Sequence, residues 1–130
     1  MTSSLLESVE RLRTGLDYHL ARHNILVSNL AQSETPNYKA ADLARTDFEG
    51  QLTTELAATN SAHIGAAGGA SPFHVIEDAN AKAGADGNSV DVDREAVKIA
   101  TNQIRYDMLA QLASSELAGI EWAATDGKTG

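Results

Sequence analysis

The chain has 130 residues and no cysteine, carries a formal net charge of -8, and is 42% apolar but only 5% aromatic. No disulfide framework, thiolate metal site or cysteine nucleophile is possible, and an acidic chain with no Lys/Arg cluster repels phosphate backbones, which argues against a nucleic-acid partner. Its apolar content is mostly Ala, Leu, Val and Ile, which suits helix seams better than a thick aromatic core, and the length is that of one domain with little core of its own.

Residues 1–31 read as one long helix. Ser4-Leu5-Leu6-Glu7 has the spacing of a capping box, in which a hydroxyl and a carboxylate satisfy unpaired N-terminal amides. Leu5, Val9, Leu12, Leu16, His19, His23, Leu26 and Leu30 then alternate by four and three, the spacing of a coiled-coil seam. Leu6, Leu20 and Val27 widen that stripe on one flank. Such a helix is roughly 40–45 Å long, and Gly15 weakens it by up to about 1 kcal/mol relative to Ala. It should stop before Pro36, because a residue preceding proline is pushed out of the helical region. No basic segment followed by an apolar run opens the chain, and no apolar stretch reaches the ~18 residues of a membrane span. Export, if it occurs, is expected by a route without a cleaved apolar signal.

Residues 32–58 read as a turn and a short helix. The helix is expected from Asp47 to about Ala58, opened by the capping box Thr46-Asp47-Phe48-Glu49 and carried by Phe48, Leu52 and Leu56. Residues 59–89 hold five glycines among Ala, Ser, Asn and Asp, with one β-like patch at Phe73-His74-Val75-Ile76. Too little apolar surface is present to offset the entropy of ordering this segment, so it is expected to be a flexible middle.

A second long helix is expected over 90–124, followed by a tail at 125–130. Asp91, Asp93 and Glu95 crowd its start, where carboxylates favour the helix dipole. Val97, Ala100, Ile104, Met108, Leu112, Ser115, Gly119 and Trp122 fall on one face of this helix. Ile99, Tyr106, Leu109, Ala113, Leu117 and Ile120 fall on another. A lone amphipathic helix needs one apolar stripe; this one has two. One can pack on the N-terminal helix, leaving the other, with the Leu6/Leu20/Val27 flank, for a neighbouring subunit. Leu109 and Leu117 are expected on that assembly side. Alternatively, the Phe48 helix covers the second stripe within a monomer.

Motifs that carry chemistry are weak. His19 and His23 have the spacing of a two-histidine metal clip, but a site needs a third ligand, and two histidines at a partly polar helix interface explain them better. Gly65-Ala66-Ala67-Gly68-Gly69-Ala70 lacks the following Lys-Ser/Thr of a phosphate loop. Asp86-Gly87-Asn88-Ser89-Val90-Asp91 fails the calcium-loop template, which wants Gly at its sixth position and Glu at its twelfth, where this chain has Asp91 and Val97. No nucleophile sits in an elbow context. An enzyme is not expected, and neither a cofactor, a metal nor a small-molecule substrate is called for.

Two segments are more specific. Ser28-Asn29-Leu30-Ala31-Gln32-Ser33-Glu34-Thr35-Pro36-Asn37-Tyr38-Lys39, followed by Ala40-Ala41-Asp42-Leu43 and Asp47-Phe48-Glu49, resembles the Asn-Leu-Ala-Asn to Thr-Pro-x-Tyr signature of the flagellar rod and hook protein family, in its proximal-rod form. Gly87 to Glu95, then Asn102-Gln103-Ile104-Arg105-Tyr106 and Leu109-Ala110-Gln111-Leu112, resembles the C-terminal helix of the same family. Gln32 departs from the signature, which usually has Asn there.

The resemblance implies an all-α subunit whose long terminal helices pair as a coiled-coil-like hairpin. It would self-assemble in the proximal rod of the bacterial flagellar basal body and transmit torque for swimming. It implies export unfolded through the type III apparatus without a cleaved signal peptide, and a place in the periplasmic rod. The partners implied are itself, other rod proteins and membrane-ring or export-gate components. Asn29, Ala31, Thr35, Pro36 and Tyr38 would form the turn motif, with Tyr38 anchoring it on the helices, and Asn88, Val90, Asp91 and Asp93 would start the C-terminal helix. The assembly helices would present Leu5, Val9, Leu12, Leu16, Leu26, Val97, Ile104, Met108, Leu109, Leu112, Leu117 and Ile120. Two alternatives stay open: an inner-rod or needle subunit of another type III apparatus, and a small metal-binding helical bundle using His19 and His23.

Overall fold

A computed structural model of the chain describes residues 2–44 and 73–125. The elements in order are helix α1 (Thr2–Ala31), strand β1 (Ala41–Leu43), strand β2 (Val75–Glu77) and helix α2 (Val92–Ala124). The fold is mostly helical, with a two-stranded antiparallel sheet that the all-α expectation did not include. The short helix expected over 47–58 lies outside the described residues.

The apolar repeat of residues 5–30 becomes α1, but the start differs from the capping-box reading. The helix already runs at Thr2, so Ser4 lies inside it. α1 ends at Ala31, ahead of Pro36, in a tightening turn: the Gln32 amide donates to the Ser28 and Asn29 carbonyls, and the Ser33 amide to Leu30. α2 opens where carboxylates crowd the sequence. Asp91 is its N-cap, its side chain accepting from the Arg94 amide at 3.1 Å, which satisfies one of the amides an isolated helix start leaves unpaired. Among the described residues no helix is long and apolar enough to cross a membrane.

Residues 73–89, expected to be loose, are instead held down by backbone pairing and side-chain caps. β2 pairs with β1 in the register Ala41 with Glu77, Asp42 with Ile76 and Leu43 with Val75. Amide-to-carbonyl bonds Ala44 to His74 (3.1 Å) and Asp78 to Ala40 (2.8 Å) extend the ladder at both ends. The sheet lies on α1, where Tyr18, Leu43 and Phe73 form a small core flanked by Ala21 and Ile25. The Tyr18 and Phe73 rings meet edge to face at 5.4 Å, a favoured geometry for aromatic pairs. Composition understated this segment because its order comes from contacts with α1, far away in sequence.

The turn after α1 locks to the loop before α2. Asn37 adopts a left-handed backbone (φ 60) and its amide donates to the Asp86 carbonyl at 3.0 Å. Gly87 also has positive φ (77), and a Cβ there would run into the Asn37 side chain. Gly87→Ala is therefore expected to cost about 2 kcal/mol, combining the left-handed penalty with the clash. Urea unfolding measures it, and Asn37→Gly in the same background should recover the steric part; a neutral Gly87→Ala would mean that the two loops are not locked.

Candidate assembly site

α1 and α2 pack antiparallel, because partners fall from Asn102 to Glu95 as α1 rises from His19 to Asn29. Along α2 the residues turned toward α1 are Glu95, Ile99, Asn102, Tyr106, Leu109, Ala113, Glu116 and Ile120, all buried or half-buried and spaced alternately by four and three. Two polar residues, Glu95 and Asn102, thus occupy positions of an apolar repeat, each 1% exposed. A buried polar group is tolerated only where its hydrogen bonds are satisfied, so their partners shape the site.

Asn29 supplies them for Glu95. It is fully buried and makes four hydrogen bonds. Its amide nitrogen donates to Glu95 Oε2 (2.8 Å) and the Ala41 carbonyl (2.8 Å), and its Oδ1 accepts from the Ala41 amide (3.0 Å) and the Tyr38 hydroxyl (3.2 Å). The Asn29 side chain thereby stands in for a third strand against the outer edge of β1, and Tyr38 ties the turn to the same atom. Asn88 does the corresponding service beyond the end of α1. Its amide nitrogen reaches the carbonyls of Gln32, Ser33 and Thr35 at 2.8–3.0 Å, while Oδ1 accepts from the Val90 amide.

Around Glu95 three acids meet three bases. Arg22 grips Asp42 with both guanidinium arms (2.7 and 2.9 Å). Lys98 bridges Asp78 (2.6 Å) and Glu95 (2.8 Å), with Asp42 at 3.7 Å, and Arg94 closes on Asp78 at 3.0 Å. The network joins α1, β1, the residue after β2, and α2. Burial opposes ionisation of Asp42, but the Arg22 hydrogen bonds, the Leu43 amide and the nearby cations outweigh it and hold its carboxyl below the usual value. Burial likewise opposes Asp78, and Lys98, the Asn80 amide and Arg94 hold it low. Lys98, penalised by its own burial, is nonetheless pushed up by Asp78 and Glu95. All three stay charged at neutral pH.

Farther along the seam, His19 Nδ1 and Asn102 Oδ1 lie 2.7 Å apart, and the Asn102 amide nitrogen donates to the His19 carbonyl at 2.7 Å. His23 lines a shallow cavity of about 210 Å³ with His19, Leu20, Asn102, Gln103 and Tyr106, and its Nδ1 is buried without a partner. Among the described residues no three His, Cys, Asp or Glu side chains are placed to hold a metal ion.

The other face of α2 is bare. Val97, Ile104, Met108, Leu112 and Trp122 are 50–67% exposed and run along one side, and α1 adds exposed Leu6, Leu20 and Val27. This corrects which stripe is left over. Leu109, expected on the outward side, is half-buried toward α1, as are Ile99 and Tyr106. Leu117, on the flank of that in-chain stripe, is exposed and Ile120 is half-buried. On α1, Leu26 is buried, Val9, Leu12 and Leu16 are half-buried, and Leu5 lies in the first turns. In the turn motif Asn29 is buried and Tyr38 half-buried, whereas Ala31, Thr35 and Pro36 are exposed; the Thr35 hydroxyl contacts Gln32 Oε1 at 2.6 Å. Asn88 and Val90 lie in the loop before α2 rather than in it.

No protein-family model matches the sequence. Individual relatives do. The chain is 31% identical over 118 residues to the flagellar basal body rod protein FlgB of Salmonella typhimurium, covering 81% of this chain and 83% of that one. It is 32% identical over 105 residues to FlgB of Cereibacter sphaeroides, covering 76% and 79%. The chain belongs to the FlgB family. FlgB of Bacillus subtilis, at 26% identity, aligns with 93% of this chain and 95% of its own length. FlgB proteins are structural rod proteins of the flagellar basal body and not enzymes, so the needle-type alternative is set aside. The chain's place is accordingly the flagellar basal body, among other flagellar components.

The sequence pattern gives no role in packing to Arg22, Asp78 or Lys98, and it presents Asp42, Glu95 and Asn102 only as parts of the resembling segments, with Glu95 also a helix-dipole partner. For Glu95 and Asn102 a signal existed: both fall in step with Ile99, Tyr106 and Leu109. A polar residue in phase with an apolar seam marks a buried hydrogen bond that fixes register.

Proposed function

We propose that this FlgB-family chain is a self-assembling subunit of the proximal rod, in the periplasmic part of the basal body, and that it passes torque along the axis through helix-to-helix contacts. The whole chain, 1–130, serves as one rod domain. α1 and α2 pair as a coiled-coil-like hairpin, and the bare face of α2 with the Leu6/Leu20/Val27 flank of α1 packs on neighbours: further copies, other rod proteins, and the membrane-ring or export-gate components at the base. The supporting observation is the row Val97, Ile104, Met108, Leu112 and Trp122, exposed together on a helix whose opposite side is already packed. A contiguous exposed apolar stripe of this kind marks an interaction surface. The hairpin itself does not depend on that row, so assembly and folding are separable.

The test uses Ile104→Asp and Met108→Asp together in a strain lacking its own copy of the gene. Swimming is expected to be lost while the purified chain keeps its helicity and its stability to within about 0.5 kcal/mol. Leu109→Asp, facing α1, should instead unfold the chain itself. Wild-type swimming of the double variant would sink the assignment of this face to assembly.

A further inference from the structure

His19 is 7% exposed, sits in the middle of the helix seam, and holds the two helices together in both directions. The proton inventory is determined by Asn102. The Asn102 amide nitrogen is committed to the His19 carbonyl, so its Oδ1 is the atom facing the ring and can only accept. His19 Nδ1 therefore carries the hydrogen and donates, and in the neutral ring Nε2 is bare. A second proton can enter only at Nε2, and it brings a full positive charge into the seam.

The surroundings do not welcome that charge. From α1 the neighbours are Arg22, His23 and the Tyr18 ring, whose centroid lies 5.2 Å away edge to face. From α2 they are Asn102, Arg105 and Tyr106. Asp42, on β1, is engaged by Arg22 and the Leu43 amide. Among the described residues no carboxylate forms an ion pair with the His19 ring. A cation set beside two guanidiniums in a largely desolvated seam, with no counter-charge, is disfavoured.

We propose that His19 is a proton-sensitive latch on the pairing of α1 with α2: neutral, it clasps Asn102 and the seam is closed; protonated at Nε2, it drives the seam toward opening in mildly acidic surroundings. Burial, with Arg105 and Arg22 adding to it against the Asn102 hydrogen bond, lowers the proton affinity of the folded ring below the ordinary 6.5. The sign follows. The unfolded chain binds the proton more readily, so this contribution to stability is complete above pH 6.5 and is lost as pH falls below it. Asp42 and Asp78 are both held below the ordinary 3.8, so their contribution is lost only at lower pH than the window that opens below 6.5. The latch is a property of the single chain and does not depend on which neighbours cover the bare face of α2.

The test follows thermal unfolding of the full chain by circular dichroism at about pH 7.5 and about pH 5.5, with the ring proton of His19 titrated by NMR. The wild type is expected to melt a few degrees lower at the acid end. His19→Gln should lose most of that acid sensitivity, and Arg105→Gln, an exposed residue whose charge faces the ring, should raise the His19 midpoint and shrink the wild-type drop. An equal acid drop in His19→Gln would overturn the proposal. Should that variant fail to fold, the NMR midpoint of the wild type decides: below 6.5 supports the latch, and at or above it removes the latch.

Discussion

Asn29→Ala is expected to destabilise the chain by about 3–4 kcal/mol, at the severe end for a single substitution that removes no large side chain. Asn29 is 0% exposed and uses every hydrogen-bonding position it has. Removing it leaves the Ala41 amide and carbonyl on the edge of β1, the Tyr38 hydroxyl and one oxygen of Glu95 without their partner. Each buried group left unpaired costs about 1–3 kcal/mol, and relaxation with water entry recovers part of the sum. Asn29→Asp keeps the shape but sets a second carboxylate against Glu95, which is 2.8 Å from the present amide nitrogen. It should be at least as damaging near neutral pH. Urea unfolding of the purified chain reads both effects, and swimming should fail with them. A loss under about 1 kcal/mol for Asn29→Ala would show that the turn, β1 and α2 are not coupled through this residue.

Lys98→Met is the second large effect. It keeps the apolar length of the side chain and removes the ammonium that Asp78 and Glu95 share. Removing one partner of a buried ion pair costs about 3–5 kcal/mol, because the remaining charge stays in a poor solvent. Arg94 still holds Asp78 and Asn29 still holds Glu95, so the lower end of that range is expected. The pH dependence identifies the cause. Asp42 and Asp78 are held below their ordinary value of 3.8, so in the wild type their contribution is present above that value and lost as pH falls through their folded-state values. In Lys98→Met the Asp78 carboxyl should take up its proton more readily. The stability gap between variant and wild type should therefore narrow from about pH 7 toward about pH 4. A gap that stays constant with pH would assign the loss to packing instead.

Both predictions concern residues whose importance the linear pattern hides. Asn29 was visible as part of a family-like turn, yet its role arises from Ala41 and Glu95, twelve and sixty-six positions away. Asp42, Asp78, Arg22 and Lys98 look in sequence like the solvated charges found on any acidic chain. The Gly- and Ala-rich composition before α2 gave no warning that Phe73 would pack on Tyr18, or that Asn88 would cap the turn after α1.

The sequence by itself determined the two long helices, since a four-three apolar spacing and a carboxylate-rich start are local properties that survive in any context. It also carried the family resemblance that the FlgB relatives bear out, and it revealed that α2 has more apolar surface than one partner can cover. Only the tertiary structure decided which of the two stripes is used within the chain. The reason is that Glu95 and Asn102 need particular partners, Asn29 and His19, and a helix must turn toward α1 the face whose polar groups can be satisfied there. Rotating α2 to bury Val97 and Met108 instead would gain similar apolar contact but take Glu95 and Asn102 away from Asn29 and His19, leaving the buried Asn29 amide without its acceptor, and that cost favours the observed orientation.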